Sequence, residues 1–168
     1  MKLQLGPETA ADEAAVTALI ERIFGPGRLA KTAERLREGN RAIASLSFVA
    51  RRGDRVVGAV RLWPLEIGGA PALLLGPLAV GAGHRNEGLG ARLIGAACAA
   101  ADTERGWPIM LVGDEPYYAP FGFAAALARE VILPGPVDPR RVLARPGVSA
   151  PTPSGPAAAA PELVEPPR

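Results

Sequence analysis

Residues 73–101 read LLLGPLAV, then GAGHRNEGLG, then ARLIGAACAAA. Leu73 to Val80 is an apolar run long enough for a strand buried on both faces. Gly76-Pro77 interrupts it. Proline has no N–H to give a ladder, so the strand is expected to bulge or lose pairing there. Gly81, Gly83, Gly88 and Gly90 follow in a turn. From Leu89 to Ala101 nearly every residue is apolar or small, Arg92 being the main exception. Such a helix can lie close against a sheet.

The chemistry of that turn follows from its backbone. A helix begins with N–H groups that have no partner inside the helix, at the positive end of its dipole. Gly88 and Gly90 remove the side chains that would keep a ligand off that backbone. The result is a site for phosphate or pyrophosphate, with Arg85 and Arg92 adding positive charge. A P-loop would need Gly-Lys-Ser/Thr after the spacer, and the triplet is absent. A dinucleotide fingerprint would need a third glycine, where Asn86 or Leu93 stands instead. Arg85-x-x-Gly88-x-Gly90, after a strand and opening a helix, is what fits. It resembles the acyl-CoA pyrophosphate loop of the Gcn5-related N-acetyltransferases, and the lead-in Leu78-Ala79-Val80 is similar to that family too.

Working outward, Lys2 to Leu5 is a short first strand. Thr9-x-x-Asp12 is a capping-box-like start. Val16, Leu19, Ile20, Ile23 and Phe24 recur at helical spacing, and Gly25-Pro26-Gly27 ends that helix. A second helix is expected from about Leu29 to Glu38, with Ala33 and Leu36 inward and Gly39 beyond its end. Ser45 to Ala50 and Arg55 to Trp63 form a hairpin through Arg52-Gly53-Asp54-Arg55, one face of which must tolerate Arg61. Pro108 to Val112 is a further buried strand, parallel to 73–80 and joined to it by a right-handed crossover. Two prolines in the following span permit only a short helical turn, and Arg129 to Leu133 is the last strand candidate. The reading is therefore mixed α/β: N-terminal helices, then a central mixed sheet whose fourth and fifth strands are parallel, splayed and linked by the crossover helix. Residues 1–143 form the domain. Residues 144–168, almost all Pro, Ala, Gly, Ser and Thr, are expected to be a disordered tail.

With 168 residues the chain can bury a real core. Nineteen basic residues against 17 acidic give a net charge of +2, which lacks the basic stripe that nucleic acid would need. The single histidine, His84, and single cysteine, Cys98, exclude a Cys/His metal cluster and an intramolecular disulfide. No metal is expected. Cys98 is most simply a small buried hydrophobe. No run is long enough to span a membrane and no signal peptide is evident, so a cytoplasmic protein is expected.

Tyr118-x-x-x-Gly122-Phe123 is a second match to the acetyltransferases. With "FGPGR", "LLLGPLAV", "LVGD" and "YYxxFGF", the chain looks like a bacterial subgroup of small acetyltransferases, over roughly residues 3–133. The resemblance implies acetyl-CoA as co-substrate and direct attack of an amine on the thioester. It implies Tyr118 as general acid to the departing thiolate and the Leu78 N–H as donor to the thioester oxygen. The cofactor-binding residues it implies are Leu78, Ala79 and Val80 on the strand, then Arg85, Asn86, Glu87, Gly88, Leu89, Gly90 and Ala91. Asp114 and Glu115 are candidates for relaying the amine's proton, with capping of the short helix the favoured alternative. His84 lies on the phosphate side and is not made the base. Arg51, Arg52 and Arg55 read as a solvated hairpin tip, Glu66 as a solvated strand end, and Trp63 and Phe48 as core. A non-catalytic acyl-CoA sensor is the rival function. The acceptor amine is not read from the sequence, and neither is oligomeric state, a homodimer being one option.

Overall fold

The computed structural model describes residues 2–27 and 31–165. Among them, strands β1 (Leu3–Pro7), β2 (Phe48–Arg52), β3 (Arg55–Ile67), β4 (Ala70–Val80), β5 (Ile109–Val112), β6 (Val131–Ile132), β7 (Val142–Arg145) and β8 (Gly155–Ala159) join in one mixed sheet. Helices α1 (Glu13–Phe24), α2 (Thr32–Arg35), α3 (Leu89–Glu104) and α4 (Glu115–Tyr118) complete it. The strand order is β1-β2-β3-β4-β5-β7, with β8 pairing both β3 and β6. β4 and β5 are parallel, and α3 is the crossover between them. The expected start of the second helix, Leu29, lies outside the described residues. Its described part is one turn, with Leu36 buried just beyond it.

The apolar run of β4 is explained by layers on both sides. Leu73 and Leu75 pack with Leu89, Leu93, Ile94 and Ala97 of α3. Leu74 points the other way, with Leu65, Met110 and Ala144. On that second side, Val16, Leu19 and Ile20 of α1 cover Val49, Ala59 and Ala79. The period of two along β4 thus divides its residues between two cores. α3 sits very close to the sheet at Gly58, where an added Cβ would lie 3.0 Å from Leu93 and 3.1 Å from Leu89.

Arg61 is tolerated because it has a partner. Its Nε and Nη2 donate to the two carboxylate oxygens of Glu8 at 3.0 and 3.1 Å. Both side chains are nearly buried, at 12% and 11% exposure. Removing one partner of such a pair leaves a charge with poor solvation. Arg61→Ala is therefore expected to cost roughly 2–4 kcal/mol in urea unfolding, with part recovered when Glu8 is also replaced by Ala.

The hairpin arginines are more than a solvated tip. Arg51 pairs with Asp12, whose carboxylate also accepts from the Thr9 N–H at 2.8 Å and hydroxyl at 3.0 Å. The Arg51 guanidinium, then the Thr9 amide, hold the Asp12 carboxyl below its usual range. The β1–β2 corner is thereby tied to the start of α1.

The C-terminal segment corrects the expected boundary at 143 and the disordered tail after it. β7 crosses that boundary and pairs antiparallel with β5, from Val112↔Val142 to Ile109↔Arg145. β8 pairs antiparallel with Leu65–Ile67 of β3. β2 reaches only to Val60 on β3, so the far half of that long strand has a bare edge. Main-chain bonds to that edge order a segment whose side chains bury little. Arg105 then fixes the end by donating to the Leu163 carbonyl at 2.8 Å and, through its second nitrogen, to that of Val164. The expected strand Arg129–Leu133 shrinks to Val131–Ile132, a parallel partner of β8.

Candidate active site

The site begins where β4 leaves β5. Only Leu73 and Leu74 of β4 pair with that strand. The Leu73 N–H donates to the Pro108 carbonyl at 2.9 Å, so its main chain faces β5. Leu73, Leu75, Leu78 and Val80 oppose Pro64, Leu62, Val60 and Gly58, alternate residues of β3. They therefore share one orientation, with N–H and C=O turned away from β3. Between Leu75 and Leu78 two residues, Gly76 and Pro77, oppose Arg61 alone. This is the expected bulge, and it absorbs one extra residue. Beyond it the Leu78 amide and the main chain of Val80 face the gap that β5 has vacated. The Trp63 indole N–H donates to the Gly76 carbonyl at 2.6 Å and so holds the bulge in place.

The glycine turn is a 3-10 helix from Ala82 to Glu87, followed by Gly88 at φ 70° and then α3. In a 3-10 turn each amide bonds the carbonyl three residues back, as the His84 N–H does to Gly81 at 2.8 Å. The first α3 bond runs from the Arg92 N–H to the Gly88 carbonyl. The amides left over are those of Gly88, Leu89, Gly90 and Ala91. This helix start lies within the expected 85–91. Arg85 and Asn86 are exposed beside it. Glu87 is paired with Arg52 at 2.8 Å.

The adjacent tyrosines occupy different settings. Tyr118 packs edge-on to Phe123, centroids 6.0 Å apart, and against Gly113, where an added Cβ would lie 2.6 Å from its ring. Burial, then Tyr117 and Asp114, push its hydroxyl up to about 12. Tyr117 stands edge-on to it and is 47% exposed. Its hydroxyl lies over Gly90, filling the spot that a Cβ there would take. The two candidate carboxylates are both engaged. Glu115 accepts from the Ala125 N–H at 3.2 Å. Asp114 stands at the start of α4 without a side-chain capping bond and accepts from Arg141 at 2.9 Å.

A cleft of about 700 Å³ opens between the bulge and the two tyrosines, and residues 79–91 of the glycine turn are not among those that line it. Its floor includes Leu78, Gly113, Tyr117 and Tyr118, and its other wall comes from α2 and from Pro136 to Arg141. His84 is not among the lining residues. The roles of Trp63, Tyr117 and the α2 side chains were not legible in the sequence. Trp63 alternates like any strand residue, and α2 is too short to show a period.

Residues 44–125 match the family described as Acetyltransferase (GNAT) domain. No curated protein matches the chain. In three dimensions it is similar to the GNAT family N-acetyltransferase YhbS from Escherichia coli, solved in complex with CoA. The TM-score is 0.77 at 22% identity, over 95% of this chain and 90% of that one. It is also similar to a GNAT family acetyltransferase from Brucella melitensis in complex with acetyl-CoA, with TM-score 0.66 and 23% identity over 95% and 96% of the two chains. Naa50 from Arabidopsis thaliana, bound to the bisubstrate analogue CoA-Ac-MVNAL, gives a TM-score of 0.59 at 18% identity over 86% and 99%.

Proposed function

We propose that this chain is an acetyltransferase of the GNAT family, whose domain residues 44–125 match, and that it moves an acetyl group from acetyl-CoA to a primary amine. The observation that carries the reading is the Leu78 amide, turned by the bulge into an open cleft beside a glycine-lined helix start. Acetyl-CoA supplies the activated acetyl thioester. The amides of Gly88 to Ala91 and the positive end of α3 suit its diphosphate. The open edge at Leu78 and Val80 suits an extended amide-bearing arm, which would pair there like an added strand. The Leu78 N–H stabilises charge on the thioester oxygen. The ammonium gives up a proton to solvent, the free amine's nitrogen bonds the acetyl carbon, the C–S bond breaks as Tyr118 gives its proton to the sulfur, and the second proton lost by the nitrogen returns through water to the Tyr118 phenolate.

A free thiol, at ~8.5, is a stronger acid than the Tyr118 hydroxyl, at about 12, so transfer to the sulfur is uphill until the phenolate is reprotonated.

The test is release of free CoA thiol from acetyl-CoA over a panel of primary amines, with Ellman's reagent. Acetyl-CoA consumption that no amine accelerates would sink the reading. Cys98, buried and protonated, is expected to stay silent in that assay, with no thiol titrated in the native protein and one after denaturation.

A further inference from the structure

We infer that the acceptor is a small primary amine that also carries an anionic group, a carboxylate or a phosphate, and that Arg35 and Lys31 receive that group. The inference rests on the acetyltransferase reading of the cleft and concerns what enters from its other wall.

Charge is unevenly compensated in the cleft among the described residues. Six charged side chains line the cleft: Lys31, Arg35, Arg37, Asp114, Asp138 and Arg141. Each carboxylate at hand is already bound to an arginine. Asp114 pairs with Arg141 at 2.9 Å, and Asp138 pairs with Arg140 at 3.0 Å. Glu34 pairs with Arg37 at 3.0 Å. Two cations remain uncompensated by a carboxylate. The Arg35 Nη1 donates to the Pro134 carbonyl at 2.7 Å, which positions the guanidinium without cancelling its charge. Gly135 has no Cβ, and one there would run into that same nitrogen, so the loop closes tightly over it. The Lys31 ammonium stands 5.8 Å from the centre of the Phe24 ring, a contact that likewise leaves its charge available. A guanidinium with a fixed orientation and free donors is suited to a carboxylate or phosphate.

The same arrangement selects against acceptors rich in positive charge. Arg37 lies against Gly76 at the bulge, where an added Cβ would be 2.9 Å from its Nη2. A polyamine or aminoglycoside would bring several ammonium groups among Lys31, Arg35 and Arg37. One amine and one anion at opposite ends of a cleft of about 700 Å³ match both its size and its polarity.

Calorimetry on the full chain saturated with CoA tests this, using β-alanine, O-phosphoethanolamine, ethanolamine and spermidine as probes. At least one anionic amine is expected to bind about tenfold or more tightly than ethanolamine, with the advantage shrinking as salt rises. Which of the two binds better tells carboxylate from phosphate. Arg35→Glu is expected to erase the advantage while leaving CoA affinity unchanged. Ethanolamine or spermidine binding as tightly as both anionic amines overturns the inference. So does an advantage that survives Arg35→Glu and Lys31→Glu together. Thiol release on the same four amines separates the two readings. Turnover that favours ethanolamine or spermidine rejects the anionic acceptor and keeps the transferase. Selective binding without any turnover rejects the transferase and keeps the cleft's preference for anionic amines.

Discussion

Tyr118→Phe is expected to lower kcat by roughly 10²–10³-fold while changing CoA affinity by no more than about twofold. The ring's packing against Gly113 and Phe123 survives the change, so the fold and the cleft wall stay as they are. Only the hydroxyl is lost. With its pKa pushed up to about 12, that hydroxyl is protonated through the whole range of an ordinary assay. The rate of the wild type should accordingly show no alkaline fall near pH 10 that the variant lacks. The raised value also has a stability consequence. The unfolded chain releases this proton near the ordinary value of 10.0 and the folded chain only near 12, so the folded state loses ground as pH climbs between them. Tyr117→Phe is the companion measurement. If it takes the kcat and Tyr118→Phe does not, the proton donor is the neighbour whose hydroxyl lies over Gly90. If neither variant has turnover to lose while both bind CoA, the chain is a sensor.

Gly90→Leu is expected to weaken CoA binding by roughly 10²–10³-fold, the loss of two charge-assisted bonds at ~1.5–2 kcal/mol each. A side chain at this position stands over the amides left by the first turn of α3. It also meets the Tyr117 hydroxyl and reaches toward Leu78, 3.7 Å from the Cβ. The fold should hold, because leucine is a better helix former than glycine by roughly 0.5–1 kcal/mol and the exposed Tyr117 ring can move aside. Calorimetry with CoA and a thermal melt separate the two effects. Undiminished affinity would place the diphosphate elsewhere.

The strand, turn and helix from 73 to 104 were legible because three independent signals agree there. An apolar run, clustered glycines and a helix of small residues each report on the same local geometry. The bulge was legible from Gly76-Pro77, since proline cannot serve a ladder. The parallel partner Ile109–Val112 followed from its unbroken hydrophobicity. What failed was whatever depends on a distant main chain. β8 has no periodic side chains and holds its place through carbonyls and amides of β3, which no composition reveals. The 3-10 form of residues 82–87 was hidden likewise, because glycine spacing marks a turn and not its type. The partners of the acidic pair were hidden by distance along the chain. Asp114 and Glu115 sit next to the cleft in sequence, yet their partners Arg141 and Ala125 lie 27 and 10 residues away.

The pairing of β8 with the far half of β3 bears on how the molecule is assembled. Of all the strands in the sheet, β8 leaves the ribosome last. Leu65 to Ile67 must wait for Ala157 to Ala159, roughly ninety residues later, before their second edge is filled. Until then a nascent chain that already holds its glycine turn and both tyrosines exposes an open ladder to any passing strand. The plain, alanine-rich β8 is therefore the seam that closes this sheet.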